Sequence, residues 1–168
     1  MHSVTAALLG MQHPHSSAHL NTLRALPEVK SIHLWDESQS ALDGVVSADD
    51  DKVAGLYTDL NVLLAHEEIA FAMVAARNDL SADLVIRALE AGKHVLAEKP
   101  IGRNADDTER AISVARRTDR KLGVCYQNRA NPAVVDARRL IGDGLIGPLF
   151  SVEIRLLTTQ VKFRDPAH

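Results

Sequence analysis

Gly92-Lys93-His94-Val95-Leu96-Ala97-Glu98-Lys99-Pro100 carries a helix stop, a short apolar strand and a charged exit in immediate succession. Gly92 ends the helix before it, in which Leu84, Val85, Ala88 and Leu89 share a face behind Ser81 as the cap. His94 to Ala97 reads as a buried strand, and Asn104 caps a following helix with Ala111, Ile112 and Ala115 on its inner face. Strands separated by helices of about ten residues imply parallel βαβ units with right-handed crossovers.

The same alternation extends in both directions. Val4 to Leu9 is an apolar run closed by Gly10, followed by a helix capped by Ser16, with Leu20, Leu23 and Leu26 on one face and Pro27 as the stop. Val29 to Trp35 is the second strand and ends at Asp36-Glu37. Tyr57 marks a short third strand, Asp59 to His66 a short helix, and Ile69 to Ala75 a strand closed by Arg77-Asn78-Asp79. Leu122 to Tyr126 is the sixth strand. Asn131-Pro132 opens a helix that ends by Gly144, and Phe150 to Thr159 reads as a longer alternating strand of different character. The expected fold is an α/β, doubly wound parallel sheet of Rossmann type. Ligands of such sheets lie at the carboxyl ends of the strands, near the point where strand order reverses. Asp36, Asn78, Glu98, Lys99 and Asn128 all follow strands closely and should gather along that edge.

Composition is that of a globular chain. Of 168 residues, 46% are hydrophobic and 24% charged, which excludes a disordered segment. The net charge of −3 gives no positive field for nucleic acid or an anionic membrane. No apolar run approaches the ~18 residues that span a bilayer. Met1-His2-Ser3-Val4 has no basic segment ahead of an apolar one, so no secretory signal is expected. A single cysteine, Cys125, suits a reducing cytosol, and its place inside a strand favours core packing over nucleophilic chemistry. Asp49-Asp50-Asp51 reads as a solvated loop or helix end.

Several residues carry chemistry. After the first strand a dinucleotide-binding protein shows G-x-G-x-x-G, and here Gly10-Met11-Gln12-His13-Pro14-His15 keeps only the first glycine. Gly10 still makes the tight turn. Gln12 puts a side chain where backbone approaches a pyrophosphate, and His15 stands where a third glycine lets helix and strand close up. Gln12 and a histidine, His13 or His15, could donate to phosphate instead, beside the free N–H groups of the helix terminus. His13, His15 and His19 invite a metal reading, but zinc sites add cysteine or carboxylate at defined spacing and none lies nearby in the sequence, so no metal is expected. Asp36 stands where an acid meets the adenosine ribose hydroxyls, and its charge repels a 2′-phosphate, which favours NAD over NADP. Lys99, at the mouth of a parallel sheet, could hold a substrate hydroxyl and stabilise an alkoxide as hydride leaves, with Glu98 holding the lysine in place. The Lys99–Pro100 peptide has either isomer open to it. For the bare tripeptide, a surface salt bridge at a strand end serves as well.

Ala91 to Pro100 closely resembles the signature of the Gfo/Idh/MocA family, relatives of glucose–fructose oxidoreductase and inositol dehydrogenase. The resemblance continues through Tyr126-Gln127-Asn128-Arg129 and through Leu140-Ile141-Gly142-Asp143-Gly144-Leu145-Ile146-Gly147-Pro148, in the same order and spacing. It implies an NAD(P)-dependent dehydrogenase of sugars, cyclitols or related polyols. It implies a Rossmann domain over 1–127 and, over 128–168, a junction helix with the start of a second α/β domain. It makes Lys99 the catalytic lysine and Glu98 its motif partner near the cofactor. Gly10 and Asp36 would contact the dinucleotide, Asn78 would sit by the nicotinamide, and Asn128 near cofactor or substrate. It further implies a homo-oligomer in the full-length form. The family's second-domain histidine has no match, so an incomplete chain, or one completed by another copy, is expected. Two other readings stay open: a non-catalytic nucleotide-binding or sensing module that keeps only the fold, favoured by the altered glycine loop, and an assembly module pairing through the last strand.

Overall fold

Continuous apolar runs become strands only where both faces of a sheet are covered, and that is their fate here. A computed structural model describes residues 3–46 and 50–155. In chain order the elements are β1 (Val4–Leu9), α1 (Ser16–Ala25), β2 (Val29–Trp35), the single turn α2 (Gln39–Leu42), β3 (Val53–Tyr57), α3 (Leu60–Leu64), β4 (Ile69–Val74), α4 (Asn78–Glu90), β5 (His94–Ala97), α5 (Ala105–Arg117) and β6 (Leu122–Val124). A 3-10 turn (Gln127–Ala130) and α6 (Pro132–Gly142) follow. The sheet has six strands in the order β3-β2-β1-β4-β5-β6, all pairs parallel. This is the 3-2-1-4-5-6 order of the Rossmann fold.

Alternation along the strands feeds two cores. Ala6 and Leu8 of β1 face Leu20 and Leu23 of α1, with Ile32 and Leu34 beside them. Ala7 and Leu9 face the other way, toward Leu84, Val85, Ala88 and Leu89 of α4 and Ala111 of α5. Burying one such leucine contributes about 2 kcal/mol, so reversing the register of β1 would cost both layers at once.

Local details differ from expectation in instructive ways. Ser16 is not the cap of α1. It is the first helical residue and wholly buried, while His15 takes the cap position without a side-chain cap bond. Ser81 likewise lies inside α4, buried, because that helix starts at Asn78. A serine in a first turn has the same sequence appearance as one at the cap. Leu26 is exposed because α1 ends before it, and in α5 Val114, not Ile112, completes the inner face. Asn104, Asp59 and Asn131 do cap, each accepting a backbone N–H. Residues 150–155 form no strand. An alternating run becomes a strand only with a neighbour to bond to, and none pairs with it among the described residues. The rest of that stretch lies outside the described residues, as does Asp49 of the acidic triplet.

The chain divides into two compact units after Cys125. In the second, Asn131 Oδ1 accepts the Ala133 N–H at 3.0 Å, Pro132 occupies the first turn of α6, and Gly144 takes a left-handed backbone (φ 71°) just past its end.

Within β2, His33 is buried and its Nδ1 lies 3.0 Å from the Tyr57 hydroxyl, which also meets His66 Nε2 at 3.0 Å. Burial holds the His33 imidazole below its ordinary value, the charge of His66 adds to this, and Glu68 opposes it. The unfolded chain therefore takes up this proton first as pH falls, so stability is complete above about pH 6.5 and declines below it, by at most about 1.4 kcal/mol per pH unit for one proton. A His33→Gln variant, which keeps a polar side chain without the titration, is expected to show a shallower loss between about pH 6.5 and 5 in urea unfolding. An unchanged slope would assign the loss to other groups.

Candidate functional site

β1 leads through α1 to β2 on one side, while β4 leads through α4 to β5 on the other. The strand order reverses between β1 and β4, and a crevice opens at their carboxyl ends. Gly10 sits there. Its N–H donates to Trp35 O at 2.8 Å, its φ is 98°, and a Cβ on it would lie 2.3 Å from Ala75 O and 2.9 Å from Ala75 C. No other residue fits that turn. Ser16 Oγ donates to Gly10 O at 2.7 Å, tying the first turn of α1 to the end of β1. The close approach of helix and strand is thus made by Ser16, and the His15 side chain that replaces the third glycine does not separate them.

Asp36, at the end of β2, is almost fully buried. Its Oδ2 accepts the Met11 N–H at 2.7 Å, and its Oδ1 accepts both the Gln12 amide Nε2 and the Ser38 N–H at 2.9 Å. Gln12 therefore turns toward Asp36, the acid that follows β2. A carboxylate offers about four lone-pair sites, so the three donors leave one acceptor site, on Oδ2. Gly10, Gln12, Trp35, Asp36, Ala76 and Arg77 line the cleft at this point. Trp35 is the only tryptophan of the chain, and its indole N–H donates to Thr58 O at 3.1 Å. Sequence reading passed over Trp35 and Arg77, although Trp35 immediately precedes Asp36. Arg77 holds Asp79 by two bonds of 3.1 and 2.8 Å, which keep that carboxyl below its ordinary range.

Glu98 follows β5, where its N–H donates to Val74 O at 2.8 Å. Its buried carboxylate receives three groups: His15 Nδ1 at 3.1 Å and His19 Nε2 at 2.7 Å on Oε1, and the Lys99 N–H at 3.1 Å on Oε2. Burial alone would push the carboxyl up, but the bonds from His19, His15 and Lys99 outweigh it and hold Glu98 below the usual range. This corrects two expectations. Glu98 bonds the backbone of Lys99, while no ion pair holds the Lys99 ammonium among the described residues. The histidines do have a carboxylate beside them, brought by the fold from β5.

Lys99 is half-buried at the rim, before a cis peptide to Pro100. Asn78 is half-buried at the start of α4. His13 Nδ1 accepts the His15 N–H at 3.1 Å, and the two rings meet edge to face with centroids 5.1 Å apart. Asn128 lies in the 3-10 turn of the second unit, exposed. The fold therefore brings Gly10, Gln12, His15, Asp36 and Glu98 to one end of the first sheet, in two groups: Gly10 with Gln12 and Asp36, and Glu98 with both histidines. Cys125 is half-buried and unpaired by disulfide, and burial pushes its thiol up, away from a reactive thiolate. No helix among the described residues is long and apolar enough to cross a membrane.

Comparison with known proteins agrees with this architecture. The profile of an oxidoreductase family with an NAD-binding Rossmann fold matches residues 5–126. An inositol 2-dehydrogenase of Rhizobium meliloti (strain 1021) is 30% identical over 119 residues, covering 68% of this chain and 34% of that protein. A levoglucosan dehydrogenase of Pseudarthrobacter phenanthrenivorans is 30% identical over 94 residues, covering 56% of this chain and 24% of that protein. Among solved structures, an NAD binding oxidoreductase from Klebsiella pneumoniae superposes with a TM-score of 0.75 at 25% identity, over 86% of this chain and 40% of that one. Scyllo-inositol dehydrogenase from Lactobacillus casei, solved with NAD(H) and scyllo-inositol, shares the fold with a TM-score of 0.75 at 20% identity, over 86% of this chain and 42% of that one. The chain thus spans less than half the length of each of these relatives. With its strand order, its Gly10 turn and a profile match over most of its length, the chain belongs to the Gfo/Idh/MocA oxidoreductase family.

Proposed function

We propose that the chain binds NAD(H) along the crevice and supplies the cofactor half of a dehydrogenase acting on a secondary alcohol of a cyclitol, sugar or related polyol. The observation that carries this reading is the Gly10–Asp36 arrangement: a backbone turn that only glycine can make, closed against a buried carboxylate with an acceptor site to spare. When bound, the nicotinamide supplies the hydride acceptor. Asp36 accepts a ribose hydroxyl at the free site on Oδ2, and a second hydroxyl would take Oδ1, where Gln12 is the partner most easily displaced, being exposed and held by one bond of 2.9 Å. The same charge disfavours a 2′-phosphate. Lys99, beyond β5, would donate to the alcohol oxygen and stabilise the negative charge that forms there as the hydroxyl proton passes to solvent, the alkoxide state from which hydride can leave. The polyol class is supported by the inositol and levoglucosan dehydrogenases among the relatives.

Trp35 reports on the cleft, so its emission follows titration with NADH and NADPH. NADH is expected to bind at least about 10-fold more tightly than NADPH. An Asp36→Asn variant should lose about 10-fold in NADH affinity, the value of roughly 1.5 kcal/mol for a hydrogen bond to a charged group, and should narrow the gap to NADPH. Binding of neither nucleotide would overturn the proposal. It would favour a module that keeps the fold alone, the reading to which the Gln12 bond across Asp36 also lends itself.

A further inference from the structure

We propose that His15, His19 and Glu98 form a site for a divalent transition-metal ion of the zinc class. His15 and His19 stand one helical turn apart, with the His19 N–H donating to His15 O at 3.0 Å, so both rings fall on the same side of the start of α1. They converge on a single oxygen. His15 Nδ1 lies 3.1 Å and His19 Nε2 2.7 Å from Glu98 Oε1, and the three donor atoms all lie within 4.8 Å of one another. A tetrahedral zinc with bonds of about 2.05 Å keeps its ligand atoms about 3.3 Å apart. The His15 and His19 distances to Glu98 Oε1, 3.1 and 2.7 Å, lie within a few tenths of an ångström to about 0.6 Å of that value, and the two ring nitrogens, within 4.8 Å of each other, would close around the ion by rotation of the His15 and His19 side chains.

The surroundings suit a cation. Glu98 is buried and supplies a negative charge, and its second oxygen is fixed by the Lys99 N–H, which orients the first. Two imidazoles and one carboxylate are a borderline donor set that selects zinc-like ions over calcium or magnesium, which take oxygen ligands. Three protein ligands leave a fourth position for water or for an oxygen of a bound molecule. Ligation requires each neutral ring to carry its proton on the nitrogen that faces away, His15 on Nε2 and His19 on Nδ1. The site shares the rim of the crevice with the proposed dinucleotide cleft, but its formation does not depend on that reading.

The test uses the chain without a polyhistidine tag, freed of metal and titrated with Co²⁺ alone, in the absence of dinucleotide. One equivalent should bind, with the visible absorption of a four- or five-coordinate cobalt centre, and Zn²⁺ should displace it. His15→Ala and His19→Ala should each weaken binding more than 10-fold. His15 is 39% exposed in its side chain, so its variant tests the site without disturbing the core. His94→Ala, at the opposite end of β5, should bind as the parent chain does. Absence of the cobalt spectrum in the parent chain would overturn the proposal. So would unchanged affinity in His15→Ala, since the bound ion would then sit elsewhere, for instance at the His33–His66–Glu68 group.

Discussion

Gly10→Ala is expected to lower the stability of the first unit by about 3 kcal/mol. Two independent costs add up to that figure. A residue with a Cβ at φ 98° pays about 1–2 kcal/mol for the left-handed backbone. The new methyl group also lies 2.3 Å from Ala75 O and 2.9 Å from Ala75 C, and overpacking of that kind costs about 1–3 kcal/mol. Neither contact can be relieved by turning a side chain, because both atoms belong to the backbone of Ala75, just past β4, whose N–H is bonded to Leu9 O at 2.8 Å. Relief has to come from prising β1 and β4 apart at the mouth of the crevice, or from moving the loop that carries Met11 off Asp36. A drop in melting temperature of about 10 °C is expected from 3 kcal/mol in a domain of this size. Gly92→Ala is the comparison: its φ is 79° but nothing lies within 4 Å of the added carbon, so only the backbone cost of about 1–2 kcal/mol applies. Equal melting temperatures for the two variants would mean that the close approach of Gly10 to Ala75 contributes nothing.

That contrast also shows what a sequence can and cannot reveal. Gly10 and Gly92 are both turn glycines after periodic segments, and both stand out from the pattern, but the neighbour that makes Gly10 irreplaceable is contributed by a strand more than sixty positions away. The strands themselves were legible because their apolar runs end at turn residues: Val4 to Leu9, Val29 to Trp35 and His94 to Ala97 have the bounds expected of them. Asp36, Glu98 and Lys99 could be placed at one edge because parallel strands all present their carboxyl ends on the same side. The pairing of Glu98 with His15 and His19 could not, since 83 and 79 positions separate the partners and local spacing carries no trace of it. Nor could the turning of Gln12 onto Asp36, which needs the loop geometry that Gly10 imposes. Phe150 to Arg155 erred in the opposite sense: alternation is a property of the segment, but a strand is a property of a pair.

Lys99→Ala should separate binding from chemistry. If the ammonium group meets the alcohol oxygen, its loss destabilises the alkoxide that must form by proton loss before hydride can leave, and the rate of polyol oxidation should fall by about 10²–10⁴. NADH affinity should stay within about 3-fold, because the dinucleotide contacts proposed for Gly10 and Asp36 follow β1 and β2, not β5. Stability should hardly change either. The Lys99 side chain is half-buried with no ion pair among the described residues, and the bond that anchors Glu98 comes from the Lys99 backbone, which alanine retains. A Lys99→Arg variant keeps the charge but spreads it over a bulkier planar fork, so it should recover little of the rate. The measurement needs a preparation with NAD-dependent polyol oxidation, either this chain or a longer protein that contains it. Turnover within 10-fold of the parent protein would remove Lys99 from the chemistry. A parallel loss of NADH binding would instead make it a cofactor contact, and a fall in melting temperature would make it structural. Only loss of rate with the other two preserved fits a cation poised at the rim of the sheet and engaged by the alcohol alone.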